Sequence, residues 1–291
     1  MTRSYSISEI DPKKYPLFLN IKNDLIHFDS YLIQKKFDKI YSNYDRCKVK
    51  CENLKLIAIH KNDEDCANIS FLLKINFVLI RSIAKFWDLC EKYEYHDSWA
   101  CLQDALDQNR ILLKHLDLEK HESMVKSYEY LSLIEKLFPF HVFVSSAMDQ
   151  LEVKCSLCNK SPFDSECNHI PGNLYWGKMA YNIVEKIGGF NHIALVPNPA
   201  DKRLVLHKFE YDKNRPEDSP FRNVHAFIKY SGRPLKSLKI ENTTKEVPRS
   251  NFAHEPENWP CPCGSGTSFK DCCYDKETIM IPHINIYYDN E

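Results

Sequence analysis

Apolar residues recur at intervals of three and four positions through the first half of the chain. Such stripes cover residues 25–44, 69–87, 99–113 and 124–137. This spacing places apolar side chains on one face of a helix, and Pro139 ends the last stripe. We therefore predict a bundle of four or five helices, the helical bundle domain, over residues 1–139.

The pattern changes after Pro139. Alternating apolar positions predict short strands at residues 140–144, 151–153, 193–195 and 204–206. Met179, Ile183 and Ile187 are spaced for one helix face, so we predict a helix over residues 175–187 that Gly188-Gly189 ends. A further helix is predicted near residues 221–230. Together these elements predict a small α/β domain over residues 140–240.

Prolines punctuate the chain before its C-terminal cysteines. We interpret residues 241–258 as a linker, residues 259–275 as a compact module and residues 276–291 as a tail. Apolar, β-rich residues 281–288 predict a strand that pairs elsewhere on this chain or on a partner. The predicted fold class is α+β, mainly α.

Composition limits the classes of function. Lysine and arginine number 39 against 40 aspartates and glutamates, so no global charge favours nucleic acid or an anionic membrane. The first residues lack an apolar signal-peptide core, and charged residues interrupt the longest apolar stretch, Phe71 to Trp87. We expect a cytoplasmic protein with no membrane role. Its 12 cysteines then indicate metal sites and buried thiols rather than disulfides, with Cys47 and Cys51 on one helix face as core thiols.

The four cysteines nearest the C-terminus have metal-ligand spacing. Cys261 and Cys263 form one pair and Cys272 and Cys273 the other, with Gly-Ser-Gly between them. Four thiolates at this spacing can surround a tetrahedral Zn²⁺, and the glycines allow the tight loop that such a site needs. A four-ligand site is closed to water and substrate, so we predict a structural zinc ion.

A second cluster lies in the middle of the chain. Cys155-x-x-Cys158 is followed by Cys167-x-His169, which supplies four further zinc ligands in a treble-clef-like zinc-finger knuckle. Two alternatives stay open. The thiols could be free with His169 on the surface, or a site without His169 could be three-coordinate and hydrolytic. With four ligands at each cluster, we expect two structural zinc ions.

The C-terminal block, Cys261-Pro-Cys-Gly-Ser-Gly followed by Phe269-Lys270 and Cys272-Cys273, resembles the SEC-C motif, known from the zinc tail of the translocation ATPase SecA. The resemblance covers about residues 259–275. It implies zinc binding and recruitment of a protein partner through basic residues. Thr267 and Asp271 stand where lysines are common, and the chain has no Gly-x-x-x-x-Gly-Lys-[Ser/Thr] loop, so it is not a translocation motor.

The wider layout is similar to uncharacterised bacterial SEC-C-domain proteins. The stretches that carry this resemblance are Leu79–Trp87, Trp99–Asp107, Cys155–Tyr181 and Asn198–Arg203. It implies a soluble, zinc-binding bacterial protein and brings no activity with it.

Two other constellations are candidates for chemistry. Arg110 and His115 match the loose Arg-x4–6-His pattern of HEPN ribonucleases, helical proteins in which arginine stabilises phosphorane charge and histidine transfers a proton. The alternative is a surface Arg and His on an amphipathic helix. Residues 201–203 beside His192 could contact phosphate, or could form a salt-bridged turn. We expect Trp259 to pack over the C-terminal zinc module.

These features favour zinc binding with a recruitment role for the C-terminal module. They favour an interaction protein over an enzyme. The partner is expected to be a protein, and nucleic acid is possible. The rival interpretation is a metal-independent, HEPN-like ribonuclease in anti-phage defence that uses Arg110 and His115. A nucleic-acid-binding adaptor built on the two zinc units is the third.

Overall fold

The computed structural model describes residues 3–206, 208–236 and 238–288. The chain divides into two compact units, Met1–Leu235 and Lys236–Glu291. The first unit contains the predicted helical domain together with the middle cysteine cluster, and the second contains the C-terminal cysteines. Each unit is described separately below.

Five helices form the bundle at the start of the first unit, as the apolar stripes predicted. They are α1 (Pro16–Ile33), α2 (Phe37–His60), α3 (Glu64–Glu91), α4 (Tyr95–His115) and α5 (Glu122–Glu135). Among the described residues, α3 is the helix long and apolar enough to cross a membrane, but 72% of its most apolar window is buried inside the structure. Its apolar face is dense because α1, α2 and α4 all pack against it.

Three of these helices end without glycine. Lys35, Asn62 and Tyr93 follow α1, α2 and α3 with φ of 55°, 54° and 59°. After each, the next amide closes the turn, as in the bond of 2.9 Å from Asp63 N to Ala58 O. This is the left-handed helix stop that glycine usually provides, and it explains how a chain with seven glycines makes tight helix connections.

A long two-stranded antiparallel ribbon follows the bundle. Strand β1 (Phe143–Cys155) pairs with β4 (Asn182–Val196), and the middle cysteine loop connects them. The short hairpin β2 (Leu174–Tyr175) and β3 (Lys178–Met179) lies within that loop. Residues 204–206 contact β1 through a single bridge between Phe143 and Val205.

The predicted helix over residues 175–187 is wrong, because this segment forms β2, β3 and the start of β4. A spacing of four residues fits both one helical turn and two strand repeats. Met179, Ile183 and Ile187 therefore could not distinguish the two. Gly188 and Gly189, taken as a helix stop, lie opposite Asp149 where the register shifts, which is a bulge.

Helix α6 (Arg222–Ser231) completes the first unit and confirms the helix predicted near residues 221–230. Its Phe227 ring lies 5.5 Å from that of Trp87. Phe221, directly before it, is fully buried and stacks 5.0 Å from Tyr95. Aromatic packing of this kind attaches α6 to the bundle.

The second unit is a ribbon that carries the C-terminal cysteines in its connection. Strand β5 (Leu238–Pro248) pairs with β6 (Thr278–Tyr288) without a register shift. The first eight residues of the predicted linker over residues 241–258 are therefore wrong, because residues 241–248 lie in β5. Its polar composition resembles a linker since a two-stranded ribbon exposes both faces. The strand predicted over residues 281–288 is confirmed as part of β6.

Candidate metal centres

The four C-terminal cysteines converge on one point. All four sulfur atoms lie within 4.8 Å of one another. Cys272 Sγ is 3.5 Å from Cys263 Sγ and 3.7 Å from Cys273 Sγ. With Zn–S bonds of about 2.3 Å, a tetrahedral site places its sulfurs roughly 3.8 Å apart. A disulfide would need about 2.05 Å, so the donor set fits a zinc ion.

Short backbone bonds hold the first pair of cysteines in a knuckle. Cys261 N–H donates to Thr267 O at 2.8 Å, and Gly264 N–H donates to Cys261 O at 3.0 Å. Gly264 and Gly266 have φ of 78° and 81°. This left-handed backbone is available to glycine at little cost. The Gly-Ser-Gly sequence is therefore required by the turn that brings the two cysteine pairs together.

Polar groups beside Cys272 favour its thiolate form, whereas burial raises the pKa of Cys261 to about 12. Ser265 Oγ lies 3.2 Å from Cys272 Sγ. Hydrogen bonds from Ser265 and then Thr267 lower the pKa of Cys272 to about 6. A hydrogen bond to Cys273 raises the pKa of the Lys276 ammonium. Because thiolates are the species that bind metal, the partners of Cys272 favour its role as a metal ligand.

A small apolar core supports the C-terminal cluster. Phe269 and Ile279 are fully buried and pack with Cys261 and Cys273. Val247, Phe252, Tyr274 and Ile281 cover this group. Trp259 does not pack over the module as predicted, since its side chain is 58% exposed and lies outside this core. Phe269 is the aromatic residue buried in this core, and its amide N–H donates to Trp259 O at 2.7 Å.

The middle cluster has the same kind of geometry. The ligand atoms of Cys155, Cys158, Cys167 and His169 lie within 4.8 Å of one another, and Cys158 Sγ is 3.6 Å from Cys167 Sγ. The first pair forms a knuckle after β1, closed by the bond of 2.9 Å from Asn159 N to Cys155 O. Leu157 N–H points at Cys155 Sγ at 3.4 Å, as amides do toward thiolates.

His169 fits the ligand role better than a surface role. Its Nδ1 atom is buried and has no hydrogen-bond partner, and a buried nitrogen without a partner is costly unless something binds it. The Tyr175 ring holds the imidazole edge-on at 4.8 Å. Tyr175 also accepts a bond of 2.9 Å from Ile170 N. A metal ion at the cluster would complete the coordination of Nδ1.

Helices α3 and α4 contact the loop that carries the middle cluster. Asn68 of α3 accepts a buried bond of 2.7 Å from Gly177 N. At the C-terminal end of α4, Lys114 Nζ and His115 Nε2 both donate to Gly172 O, at 2.7 and 3.0 Å. The cysteine loop is thus attached to the bundle at two points, one on each side of Leu174–Tyr175.

His115 and Arg110 have separate surroundings. His115 is buried, bonds to Gly172, and its other nitrogen has no partner. Arg110 is half-exposed, pairs with Asp107 at 2.8 Å and lies over the Tyr128 ring at 5.9 Å. Residues five apart on a helix project about 140° from each other. The described contacts do not bring the two side chains to a common site.

The turn at residues 201–203 is an ion-paired attachment, which is the second of the two interpretations offered above. Arg203 bonds to Asp104 and Asp107 of α4 at 2.7 Å each and to Asp201 at 2.8 Å. His192 pairs with Ala147 in the ribbon and has no place in this cluster. Asp104 and Asp107 could have indicated this attachment from the sequence, because residues three apart on a helix place both carboxylates on one face.

The scattered cysteines of the bundle are core residues. Cys47, Cys51, Cys66 and Cys90 are buried. Burial raises the pKa of Cys47 and Cys66 to about 11 and that of Cys51 to about 12, so these thiols stay protonated. Among the described residues, the two clusters above are the groups that could hold a metal. The core role expected for Cys47 and Cys51 is confirmed.

Comparison with known proteins identifies the C-terminal site. A family model described as the SEC-C motif matches residues 258–275, and SEC-C is a zinc-binding motif. No curated protein and no solved structure matches the chain. The motif and the four-cysteine cluster together show a SEC-C motif-containing, zinc-binding protein.

Proposed function

We propose that this SEC-C motif protein holds two structural zinc ions and uses its SEC-C module to recruit a protein partner. Zinc bound at each cluster would cross-link a loop that has too small a core to fold alone. Four protein donors at each cluster leave no position for water or substrate. Both metal sites are therefore assigned to folding, and recruitment to the surface that they support.

The exposed Trp259 is the observation that supports recruitment most directly. Its side chain is largely free while its backbone is fixed on both sides, by Phe269 N to Trp259 O at 2.7 Å and by Trp259 N to Pro256 O at 3.0 Å. Tryptophan is among the residues that contribute most to protein interfaces. A rigid backbone also lowers the entropy cost of using it as an anchor.

Charge favours a protein partner over nucleic acid. Residues 249–277 contain five acidic side chains (Glu255, Glu257, Asp271, Asp275, Glu277) and three basic ones (Arg249, Lys270, Lys276). Four thiolates around one Zn²⁺ add further negative charge. An acidic surface repels phosphate backbones and attracts basic protein segments. The partner that this surface fits is a protein segment with lysines or arginines beside an apolar pocket.

A reducing compartment suits the two clusters. All 12 cysteines are free in the described structure, and zinc thiolates survive where thiols stay reduced. We therefore propose a cytoplasmic protein, which the resemblance to bacterial SEC-C-domain proteins also supports.

Quantitative partner capture tests the recruitment proposal. Full-length protein, Trp259→Ala and Phe163→Ala are immobilised, and the proteins retained from a lysate are compared by mass spectrometry. Phe163 is 93% exposed and lies in the middle loop, so it controls for loss of an exposed aromatic ring. We expect a protein retained by the native chain and by Phe163→Ala to be lost with Trp259→Ala. Identical sets from all three chains would contradict the proposal.

A further inference from the structure

A cavity of about 330 Å³ lies in the first unit, between α2, α3 and the middle cysteine knuckle. We call it the knuckle cavity. The side chains that matter for its chemistry are Lys55, Phe71, Lys74, Leu157, Lys178 and Tyr181. Its size is at the lower end of the range for small-molecule sites.

The knuckle cavity carries excess positive charge. Lys55 and Lys74 both bond to the carboxylate of Glu52, the latter at 2.6 Å. Lys178 is exposed, and no ion pair of its side chain is recorded among the described contacts. Three ammonium groups with one carboxylate give two positive charges, and the three thiolates around one Zn²⁺ at the adjoining middle cluster offset one of them. The Lys55 side chain is only 14% exposed, so an anion beside it would be less screened than at the open surface.

The position of Lys55 is built into the knuckle. Its side chain crosses Gly177, which has φ of 72°. A Cβ at Gly177 would lie 2.7 Å from Lys55 Cγ and 2.8 Å from Ala67 O. Only glycine therefore lets the lysine pass between α2 and the β2–β3 turn.

Apolar and aromatic groups form the rest of the wall. Phe71 and Leu157 are half-buried, and Tyr181 is more exposed. The Lys74 ammonium lies 5.3 Å from the centre of the Phe71 ring. Ammonium groups beside an aromatic surface match a ligand that joins a charged head to a flat organic body.

We propose that the knuckle cavity binds a phosphate monoester carried on a small aromatic molecule, of the nucleoside 5′-monophosphate class. A phosphate monoester carries about two negative charges at neutral pH, which is opposite in sign to the excess charge of the cavity. The base and sugar would occupy the wall of Phe71, Leu157 and Tyr181. This site is independent of the SEC-C module and of its proposed partner.

Calorimetric titration of the zinc-loaded full-length protein tests the site. The probes are 5′-AMP, 5′-UMP, adenosine and inorganic phosphate. We expect saturable binding of at least one monophosphate, weaker binding of adenosine, and competition by phosphate. In Lys178→Gln the dissociation constant should rise about tenfold, because one of the unpaired charges is lost. Lys126→Gln, an exposed lysine on α5 paired with Glu122, should leave it unchanged.

A second variant and a second phosphate-bearing probe complete the test. Tyr181→Ala removes a wall of the cavity and should weaken monophosphate binding while leaving phosphate binding unchanged. A 5′-phosphorylated oligonucleotide is titrated in parallel. If the oligonucleotide binds and the free nucleotides do not, the cavity recognises the 5′ end of a nucleic-acid strand and the proposal is wrong. Absence of saturable monophosphate binding, or binding unaffected by Lys178→Gln, would also overturn it.

Discussion

Gly264 and Gly266 show how single residues determine the SEC-C site. Both have left-handed backbone conformations, but they face different surroundings. A Cβ on Gly264 would lie 3.2 Å from Pro282 Cγ, whereas a Cβ on Gly266 would meet no atom within 4 Å. Backbone strain is thus common to both positions, and crowding is specific to Gly264.

Gly264→Ala is expected to weaken zinc binding at the SEC-C site more than Gly266→Ala. The left-handed conformation costs an alanine about 1–2 kcal/mol, and the Pro282 contact adds to this only at Gly264. A strain of that size corresponds to roughly 5- to 30-fold in affinity. Competition with a calibrated chelator measures the change, with Gly266→Ala as the matched control. Native affinity in Gly264→Ala would show that the turn tolerates a side chain.

His115 links protonation to the attachment of the middle loop. Burial lowers the pKa of His115, and its Nε2–H bond to Gly172 O leaves Nδ1 without a partner for a second proton. As pH falls below about 6.5, the unfolded chain therefore takes up a proton that the folded chain does not. The resulting stability is present at neutral pH and is lost as pH falls toward the lowered pKa.

We expect the free energy of unfolding to depend less on pH in His115→Gln than in the native chain. Glutamine keeps an amide donor for Gly172 O and does not titrate. Urea unfolding at pH 7.5 and pH 5.5 measures the difference, which cannot exceed about 1.4 kcal/mol per pH unit for one group. His60→Gln, an exposed position at the end of α2, serves as the control. Equal pH dependence in native and His115→Gln chains would contradict this role.

At the scale of elements, the helix ends depend on residues that tolerate a left-handed backbone. Asn62 ends α2 and is exposed, so its effect on stability comes from its backbone. Lys35 and Tyr93 make additional contacts, with Glu91 and with the His225 ring respectively. Asparagine is the side chain best suited to this conformation after glycine.

Replacement of Asn62 by valine should therefore destabilise the first unit, whereas glycine should be neutral or slightly stabilising. A β-branched residue is strongly disfavoured at positive φ, and we expect a loss of about 1–2 kcal/mol. Thermal or urea unfolding of Asn62→Val and Asn62→Gly measures both. A valine variant as stable as the glycine variant would show that α2 ends differently in solution.

The whole molecule uses one arrangement twice. In each unit a two-stranded ribbon is joined by a loop at a four-ligand cluster. Residues 156–181 supply three ligands in the first unit and Cys155 at the end of β1 the fourth, whereas residues 249–277 supply all four in the second. An isolated two-stranded ribbon is only marginally stable in water. Ligands fixed around a metal ion supply the cross-link that the small cores of these loops lack.

Metal analysis of the purified protein is expected to return about two zinc ions per chain. Cys155→Ser/Cys158→Ser and Cys261→Ser/Cys263→Ser should each lose about one ion, since each variant removes two of four ligands. Cys101→Ser, outside both clusters, should lose none. A native chain with one zinc ion, unaffected by Cys155→Ser/Cys158→Ser, would exclude the middle site.

The sequence alone determined the parts of this protein that depend on local spacing. The helices of the bundle follow from a period that only a helix matches over long stretches. The two ligand sets follow from cysteines and a histidine close enough in sequence to surround one ion. Tertiary structure decided the features for which the spacing of residues in the sequence fits more than one structure. Apolar residues four apart fit both helix and strand, so the β1 partner decided the state of residues 182–187. The surroundings of a side chain depend on segments distant in sequence. For this reason only the tertiary structure shows that His115 bonds to Gly172 and that Trp259 is exposed.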